Sequence, residues 1–189
     1  NAAPGDIRFI DANGDGVISP EDRVAIGNPI PTVTMGLNLS FNYKNWDFNS
    51  YAFASLGNEI VRNYERVQPL VNQSVYTLNR WVGEGTSNTV PRVTTGATLN
   101  NQFSDFFIED GSFVRLQNVQ LGYSFPKNLS GRFGVSKLRL YASANNLFTL
   151  TKYRGFDPNV SSGNPVGAGI DGGVYPVPTT YLLGINLKF

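Results

Sequence analysis

A chain of 189 residues with 41% hydrophobic, 13% aromatic, only 15% charged residues and net charge +1 is poor in charge, since about a quarter is usual in water-soluble domains. Cys and His are both absent, which removes disulfides, thiol nucleophiles, most zinc sites and any Ser-His or Cys-His dyad. The near-neutral balance gives no ground for a nucleic-acid partner. No apolar run reaches the ~18 residues of a transmembrane helix, which leaves a β-barrel open.

Residues 1–31 carry the one motif with explicit ion chemistry. Asp11-Ala-Asn13-Gly-Asp15-Gly16-Val17-Ile18-Ser19-Pro-Glu21-Asp22 follows the calcium-loop pattern of alternating oxygen donors around a glycine turn. Asp11, Asn13 and Asp15 supply side-chain oxygens, Val17 a carbonyl, and Ser19 a direct or water-bridged ligand, while Asp22 closes the loop. Asp22 stands where a longer Glu is usual, so its bidentate reach is shorter. Ile18 is expected to point back into hydrophobic support. Ser19-Pro20-Glu21-Asp22 also reads as a helix start, but no long helix precedes the loop, so it is not a complete EF-hand. With no nucleophile or proton relay nearby, a bound Ca²⁺ is structural. The competing reading is an ion-free Asx- and Gly-rich turn.

Residues 32–56 read as a hairpin. Val33, Met35, Leu37, Leu39 and Phe41 alternate with Thr34, Gly36, Asn38 and Ser40, and a turn at 42–45 leads to a return strand from Trp46 to Leu56. Trp46, Phe48, Ala52 and Ala54 share the apolar face there, while Tyr51 and Phe53 blur the pattern. Residues 57–112 are too long for a plain connection. Helices are expected from Asn58 to Arg66 and from Ser74, as cap, to Val82. A second hairpin occupies 113–148: Val119, Leu121, Tyr123 and Phe125 lie on one face, the turn spans 126–136, and Leu138, Leu140, Ala142 and Ala144 follow. Residues 149–179 form another long Gly-, Pro- and Asn-rich loop. The last strand, Thr180 to Phe189, sets Tyr181, Leu183, Ile185, Leu187 and Phe189 on one face.

Five strands with short turns at one end and long loops at the other predict an all-β fold, an antiparallel transmembrane β-barrel with long extracellular loops. One face of each strand meets outer-membrane lipid, and about 9–11 residues suffice for a tilted strand to cross. Five strands cannot close a barrel, and open edges are not tolerated in hydrocarbon, so further strands must come from elsewhere. The chain opens at Asn1 with neither Met nor a basic leader, as expected of the trailing part of a longer protein. The domain reading is an ion-loop segment at 1–31 and barrel strands over 32–189, with long loops 57–112 and 149–179.

Several stretches then carry a resemblance. They are Gly5-Asp6-Ile7 with the Asp11 to Ile18 loop, Ile26-Gly-Asn-Pro29, Asn79-Arg-Trp81 with Pro91-Arg92, and Ile108-Glu-Asp-Gly-Ser-Phe-Val-Arg-Leu-Gln-Asn118 running into Leu121-Gly-Tyr-Ser-Phe-Pro126. Asn145-Asn-Leu-Phe-Thr149, Lys152-Tyr153, Gly155-Phe-Asp-Pro158 and the terminal strand complete them. In this order they resemble the C-terminal part of SusC/RagA-type TonB-dependent outer-membrane transporters. The resemblance implies a barrel of about 22 strands with an N-terminal plug, neither plug nor TonB box lying in this segment. It implies energy supplied through TonB, a SusD-like surface lipoprotein acting as a lid, a dimer of transporter–lipoprotein pairs, and glycan or peptide cargo. It also implies the outer membrane of a Gram-negative, Bacteroidota-like bacterium, with the C-terminus periplasmic and the long loops outside.

Two other classes compete with this reading. A soluble Ca²⁺-dependent carbohydrate-binding β-sandwich would use the same two loops. An enzyme is the weakest reading, because Glu109 and Asp110 are neighbours that point to opposite faces of a strand rather than forming a pair. Tyr64, Trp81, Tyr153, Phe156 and Tyr175 in the loops are candidate ligand contacts, by stacking on sugar rings; packing within the loops or against a partner is the alternative.

Overall fold

The alternating segments fold as strands. The computed structural model describes residues 2–65, 72–96, 98–131, 134–160 and 167–189. Its strands are β1 (Val33–Tyr43), β2 (Trp46–Leu56), β3 (Glu59–Arg62), β4 (Ile108–Asp110), β5 (Phe113–Ser124), β6 (Lys137–Thr151), β7 (Ile170–Asp171) and β8 (Thr180–Lys188). Five of them make one antiparallel meander in the order β1-β2-β5-β6-β8. A second, three-stranded sheet in the order β4-β3-β7 is built from the long loops. Two compact units emerge, Asn1–Gly27 with Arg62–Ile108 and Asn28–Val61 with Glu109–Phe189. No described helix is long and apolar enough to cross a membrane, a finding about helices and not about strands.

The register carries one apolar face through the whole meander. Phe41 pairs with Phe48, Phe48 with Leu121, Leu121 with Ala142, and Ala142 with Leu183. Leu39, Ser50, Val119, Ala144 and Tyr181 form the next row, so Ser50 is its single polar member. The opposite rows are polar: Asn49 pairs with Gln120 and Gln120 with Ser143, while Asn118 pairs with Asn145. Val33, Leu37, Leu39, Leu121, Tyr123, Leu138, Leu183 and Ile185 all fall on the apolar face, as the alternation predicts. At β8 that face lies open: Leu183 is 89% and Tyr181 73% exposed. A soluble sandwich would bury these side chains under a second sheet, so that alternative is not the fold observed.

Local chemistry explains the details. Tyr43 pairs directly with Trp46, leaving a two-residue turn of Lys44 and Asn45 rather than the broader one expected, with Lys44 at φ +52°. Such left-handed turns match the twist of a hairpin. Tyr51 and Phe53 point to the polar side, where Tyr51 covers the Gly36 backbone and Phe53 packs against Phe113 with ring centres 6.0 Å apart. Asp47 on β2 reaches Arg139 on β6 across β5, with bonds of 2.9 and 2.5 Å. Gly122 lies beneath this pair, and any Cβ there would collide with both side chains. At the turn end Trp46 and Tyr123 pack on the apolar face with ring centres 4.8 Å apart and planes tilted by 56°. This is where an interfacial aromatic belt is expected.

The loop segments depart from expectation. The helix anticipated from Asn58 to Arg66 is strand β3 over Glu59–Arg62, because its backbone finds distant partners; Arg66 lies outside the described residues. Glu59 N–H donates to the Asn28 carbonyl and Val61 N–H to that of Gly169. The helix anticipated from Ser74 to Val82 shrinks to a 3-10 turn over Val75–Asn79, and Ser74 makes no side-chain cap. Within the 126–136 turn a short helix, α1, spans Lys127–Ser130.

Candidate functional site

The ion-type loop folds as a set of carboxylate-capped turns. Asp11 accepts N–H bonds from Gly14 at 2.6 Å, Asp15 at 3.2 Å and Gly16 at 2.7 Å. Asn13 accepts from the Asp15 N–H, and Asp15 from the Val17 N–H. Asp22 closes the ring: it accepts from Ala12 at 2.9 Å and from Ser19 at 2.7 Å, while the Ser19 hydroxyl takes the Glu21 N–H. The Ser19 and Asp22 bonds form a capping box on a 3-10 turn at Pro20–Asp22, as the Ser-Pro-Glu-Asp signature predicts. These N–H donors, the Ser19 bond foremost, hold the Asp22 carboxyl below its ordinary pKa. Among the described residues no group of three or more His, Cys, Asp or Glu side chains is arranged to hold a metal ion. Ile18 is 46% exposed and Val17 63%, so the hydrophobic support expected behind Ile18 is not provided by the described chain.

Just upstream, residues 3–7 are clamped onto residues 81–100 of the same unit. Arg92 grips Asp6 with two bonds of 2.6 and 3.0 Å, and Asn100 and Thr98 donate to the same carboxylate. Asn100 in turn accepts the Ile7 N–H, and the Arg92 N–H donates to the Gly5 carbonyl. Trp81 lies flat on Gly5, where any Cβ would collide with its ring. The guanidinium, with the Ala3 N–H next, holds the Asp6 carboxyl well below the usual carboxylate range. In the same unit the buried Arg62 pairs with Glu65 at 3.2 Å and lies over Tyr76, 4.7 Å from the ring centre. Burial, with help from Glu65, pushes the Tyr76 hydroxyl up to about 12.

In the other unit the loop ends are locked to the wall by charge. Arg115 of β5, 5% exposed, donates to Thr149 on β6 at 2.8 Å and to Asp157 at 2.5 Å. Asp157 also accepts the N–H groups of Asn159 and Val177. Burial pulls its carboxyl upward, but Arg115 and the two amides outweigh that, and the net shift is downward. Asp171, fully buried, accepts the Tyr153 hydroxyl at 2.6 Å and the N–H groups of Gly173 and Val174. Glu109 grips Arg154 at 3.0 and 2.8 Å, whereas its neighbour Asp110 caps the Ser112 N–H, so the two acids do work apart. Of these groups, Asp157 and Asp171 were not singled out by sequence reasoning. Their Asx-turn spacing to Asn159 and Gly173 is the local signal that was available.

The five candidate contact aromatics separate by burial. Tyr153 is buried at 6% exposure and is committed to Asp171. Trp81 is half-buried on Gly5, and Tyr64 is half-buried. Phe156 and Tyr175 stand 67% and 87% exposed.

No family model matches the chain. TonB-dependent receptor P3 of Formosa agariphila is 37% identical over 195 residues, covering 98% of this chain and 19% of that protein. TonB-dependent receptor SusC of Bacteroides thetaiotaomicron is 35% identical over 191 residues, covering 100% of this chain and 18% of its own length. Among solved structures, the RagAB peptide importer in its closed-closed state superposes with a TM-score of 0.71 at 29% identity, over 96% of this chain and 20% of the matched one. Its open-open state gives 0.67 at 30% identity over 84% and 17%. The chain thus spans about a fifth of the length of the curated relatives it matches. Alike along its whole length in sequence and over nearly all of it in structure, the chain belongs to the SusC/RagA-type TonB-dependent outer-membrane transporters.

Proposed function

We propose that the chain supplies barrel wall and outer loops to an outer-membrane importer of oligosaccharides or peptides. The importer is energised by TonB through other parts of the protein and works with a SusD-like lipoprotein. The observation that carries this reading is the apolar face that runs through all five strands, with Ser50 its one polar interruption, and is open at β8, where Leu183 is 89% exposed. Lipid accommodates such a face beside polar rows, as in an outer-membrane barrel wall. The short turns are periplasmic and the long loops extracellular, as in bacterial barrels generally. An epitope tag inserted at Gly14 or Ser87 of the complete protein is then accessible on intact cells, and one at Lys44 is not. The reverse labelling pattern overturns the sidedness.

The loop at 11–22 takes one structural Ca²⁺ through Asp11, Asn13, Asp15, the Val17 carbonyl and Asp22, with Ser19 direct or through water. The donors are all oxygen, which suits a hard ion. Asp11 Oδ1 and Asp22 Oδ1 each already accept two N–H bonds, which leaves Asp11 Oδ2, Asp22 Oδ2 and the Asp15 oxygens with a lone pair for a cation. The ion offsets two of the three negative charges of Asp11, Asp15 and Asp22 and does no chemistry. At ten times Kd, Ca²⁺ adds about 1.4 kcal/mol to the loop. Amide exchange of residues 11–22 in the purified transporter slows with Ca²⁺ over EGTA, and Asp15→Ala abolishes the difference. Equal exchange with and without the ion counts against the site.

A further inference from the structure

Charge in this molecule is sorted by end. Every one of the 14 acids except Asp47 lies in the loop segments 1–31, 57–112 and 149–179. At the turn end of the five-stranded sheet the described residues hold Lys44, Lys127, Lys137, Arg139 and Lys188 against Asp47 alone. Asp47 is itself committed to Arg139. Lys137 and Lys188 are direct cross-strand partners, and like charges so opposed destabilise a sheet unless an anion lies close.

The corner where β1 turns into β2 shows what that end is shaped to meet. Tyr43, Trp46, Tyr123, Leu140 and Ile185 form one row of the apolar face. Tyr43 is 68% and Trp46 48% exposed, and Trp46, Tyr123 and Phe125 pack in series with ring centres 4.8 and 5.1 Å apart. The Lys44 ammonium lies over the Tyr43 ring, 5.2 Å from its centre, which sets the charge on the apolar side of the sheet. Lys44 holds φ +52°, a conformation in which Asn or Gly is the usual resident, so the turn itself gives no reason for a lysine. Among the described residues the Lys44 ammonium, the Tyr43 hydroxyl and the Trp46 indole N–H have no hydrogen-bond acceptor. Lys137 and Lys188 lie three residues further out than the Leu140–Ile185 row, about 10 Å along the strand. They alternate onto the polar face, so they add to the local potential without sharing the corner.

An apolar face that ends in amphipathic rings, three unpaired donors and surplus positive charge fits a bilayer surface with anionic headgroups. Phosphate oxygens accept from the three donors, and the rings lie at the boundary between acyl chains and headgroups. The surplus charge favours lipids of net negative charge over zwitterionic lipids of similar shape. We infer that the Tyr43, Lys44 and Trp46 corner is a binding site for the phosphate of an anionic phospholipid of the phosphatidylglycerol kind. This rests on the reading above that the apolar face meets lipid, and it adds a headgroup chemistry, a residue and a reason for the sorting of charge.

The test reconstitutes the complete transporter in vesicles that hold bromine-labelled phosphatidylglycerol or bromine-labelled phosphatidylcholine. The emission of Trp46 is taken as the difference between wild type and Trp46→Phe, and bromine on an acyl chain beside the ring quenches it. Competition with unlabelled lipid then gives the relative affinity of the two lipids at this corner. Phosphatidylglycerol is preferred, and about 1 M salt narrows the preference by shortening the screening length. Lys44→Asn, which suits the turn, cuts the preference about 5-fold, the contribution of one lysine at an anionic surface. Lys44→Arg keeps it, and Lys152→Gln, just beyond the loop end of β6, leaves it unchanged. Equal affinity for the two lipids overturns the site, and it is the outcome expected if the turn end instead serves an acidic protein. A preference that Lys44→Asn leaves undiminished overturns the assignment to this corner. Quenching of Trp46 by neither lipid brings down the lipid-facing reading of the wall itself, whereas equal quenching by both brings down this inference alone.

Discussion

The five-stranded wall and the loop segments beyond its ends manage burial in opposite ways. The wall is held by backbone ladders and keeps its large apolar side chains outside, so that β1 exposes every one of its residues. The locks that hold the loops hide charge: Arg62, Asp157, Asp171 and, at the loop end of β5, Arg115 are each 5% exposed or less. In water the first arrangement would aggregate and the second would be costly. In a barrel the first meets lipid, and the second gives otherwise irregular chain a single conformation through hydrogen bonds that tolerate few alternatives. The wall tolerates many apolar sequences, whereas each loop lock depends on particular residues.

That contrast breaks most visibly at Asp157. Replacing it with Ala leaves the Arg115 guanidinium buried beside the Thr149 hydroxyl with no counter-charge from Asp157, and frees the amides of Asn159 and Val177. Removing one side of a buried pair costs about 3–5 kcal/mol. The expected result in the complete protein is fast exchange and protease cleavage within residues 149–179, with the strand amides unaffected. The double variant Arg115→Met, Asp157→Leu removes both charges and costs less than the single one. A single variant as protected as wild type would show that the ladder, not the ion pair, holds this loop.

The wall is probed by two adjacent leucines that differ only in face. Leu183 pairs with Ala142 in the apolar rows, and Leu182 pairs with Ser143 in the polar ones. Leu183→Arg near the membrane midplane costs about 2–4 kcal/mol, while on the lumen side the cost falls away. Folding titrations in lipid vesicles therefore separate Leu183→Arg from Leu182→Arg. Equal costs would mean that the apolar face does not meet lipid.

The same contrast governs what the sequence disclosed. Strands with period two were legible, down to which side of β8 is apolar, because a pleated backbone converts alternation directly into faces. Tyr51 and Phe53 misled because aromatic rings on a polar face were serving glycine and Phe113 across the sheet. Asn58 to Arg66 misled more deeply: Ile60, Val61 and Tyr64 have near-helical spacing, yet pairing with Asn28 and Gly169 prevailed. No local pattern encodes partners so distant in sequence. The Ser19–Asp22 capping box was legible, being local. Asp157 and Asp171 were half legible through the turns they cap, while Arg115 and Tyr153 become their partners only in the fold.

The smallest effect concerns acid, and it sharpens the comparison from the loop side. Asp6 is the hub between residues 3–7 and the Arg92 to Asn100 stretch. Its carboxyl titrates below its ordinary value because Arg92, and then the Ala3 N–H, bind the charged form. A carboxylate whose pKa is depressed by folding contributes stability that is complete above its unfolded pKa of about 3.9 and is lost as pH falls through the folded value. The clamp therefore holds unchanged from neutral pH down to about 5 and loosens only well below 3.9. Protection of the Ile7 and Arg92 amides, corrected for the pH dependence of intrinsic exchange, should stay flat over the first interval and fall below the second. Asp6→Asn keeps one acceptor but removes the charge, so its protection at neutral pH drops and then no longer responds to acid. If wild-type protection already declined between pH 7 and about 5, a group with an ordinary or raised pKa would be holding these residues, and the Arg92 pair would be a bystander.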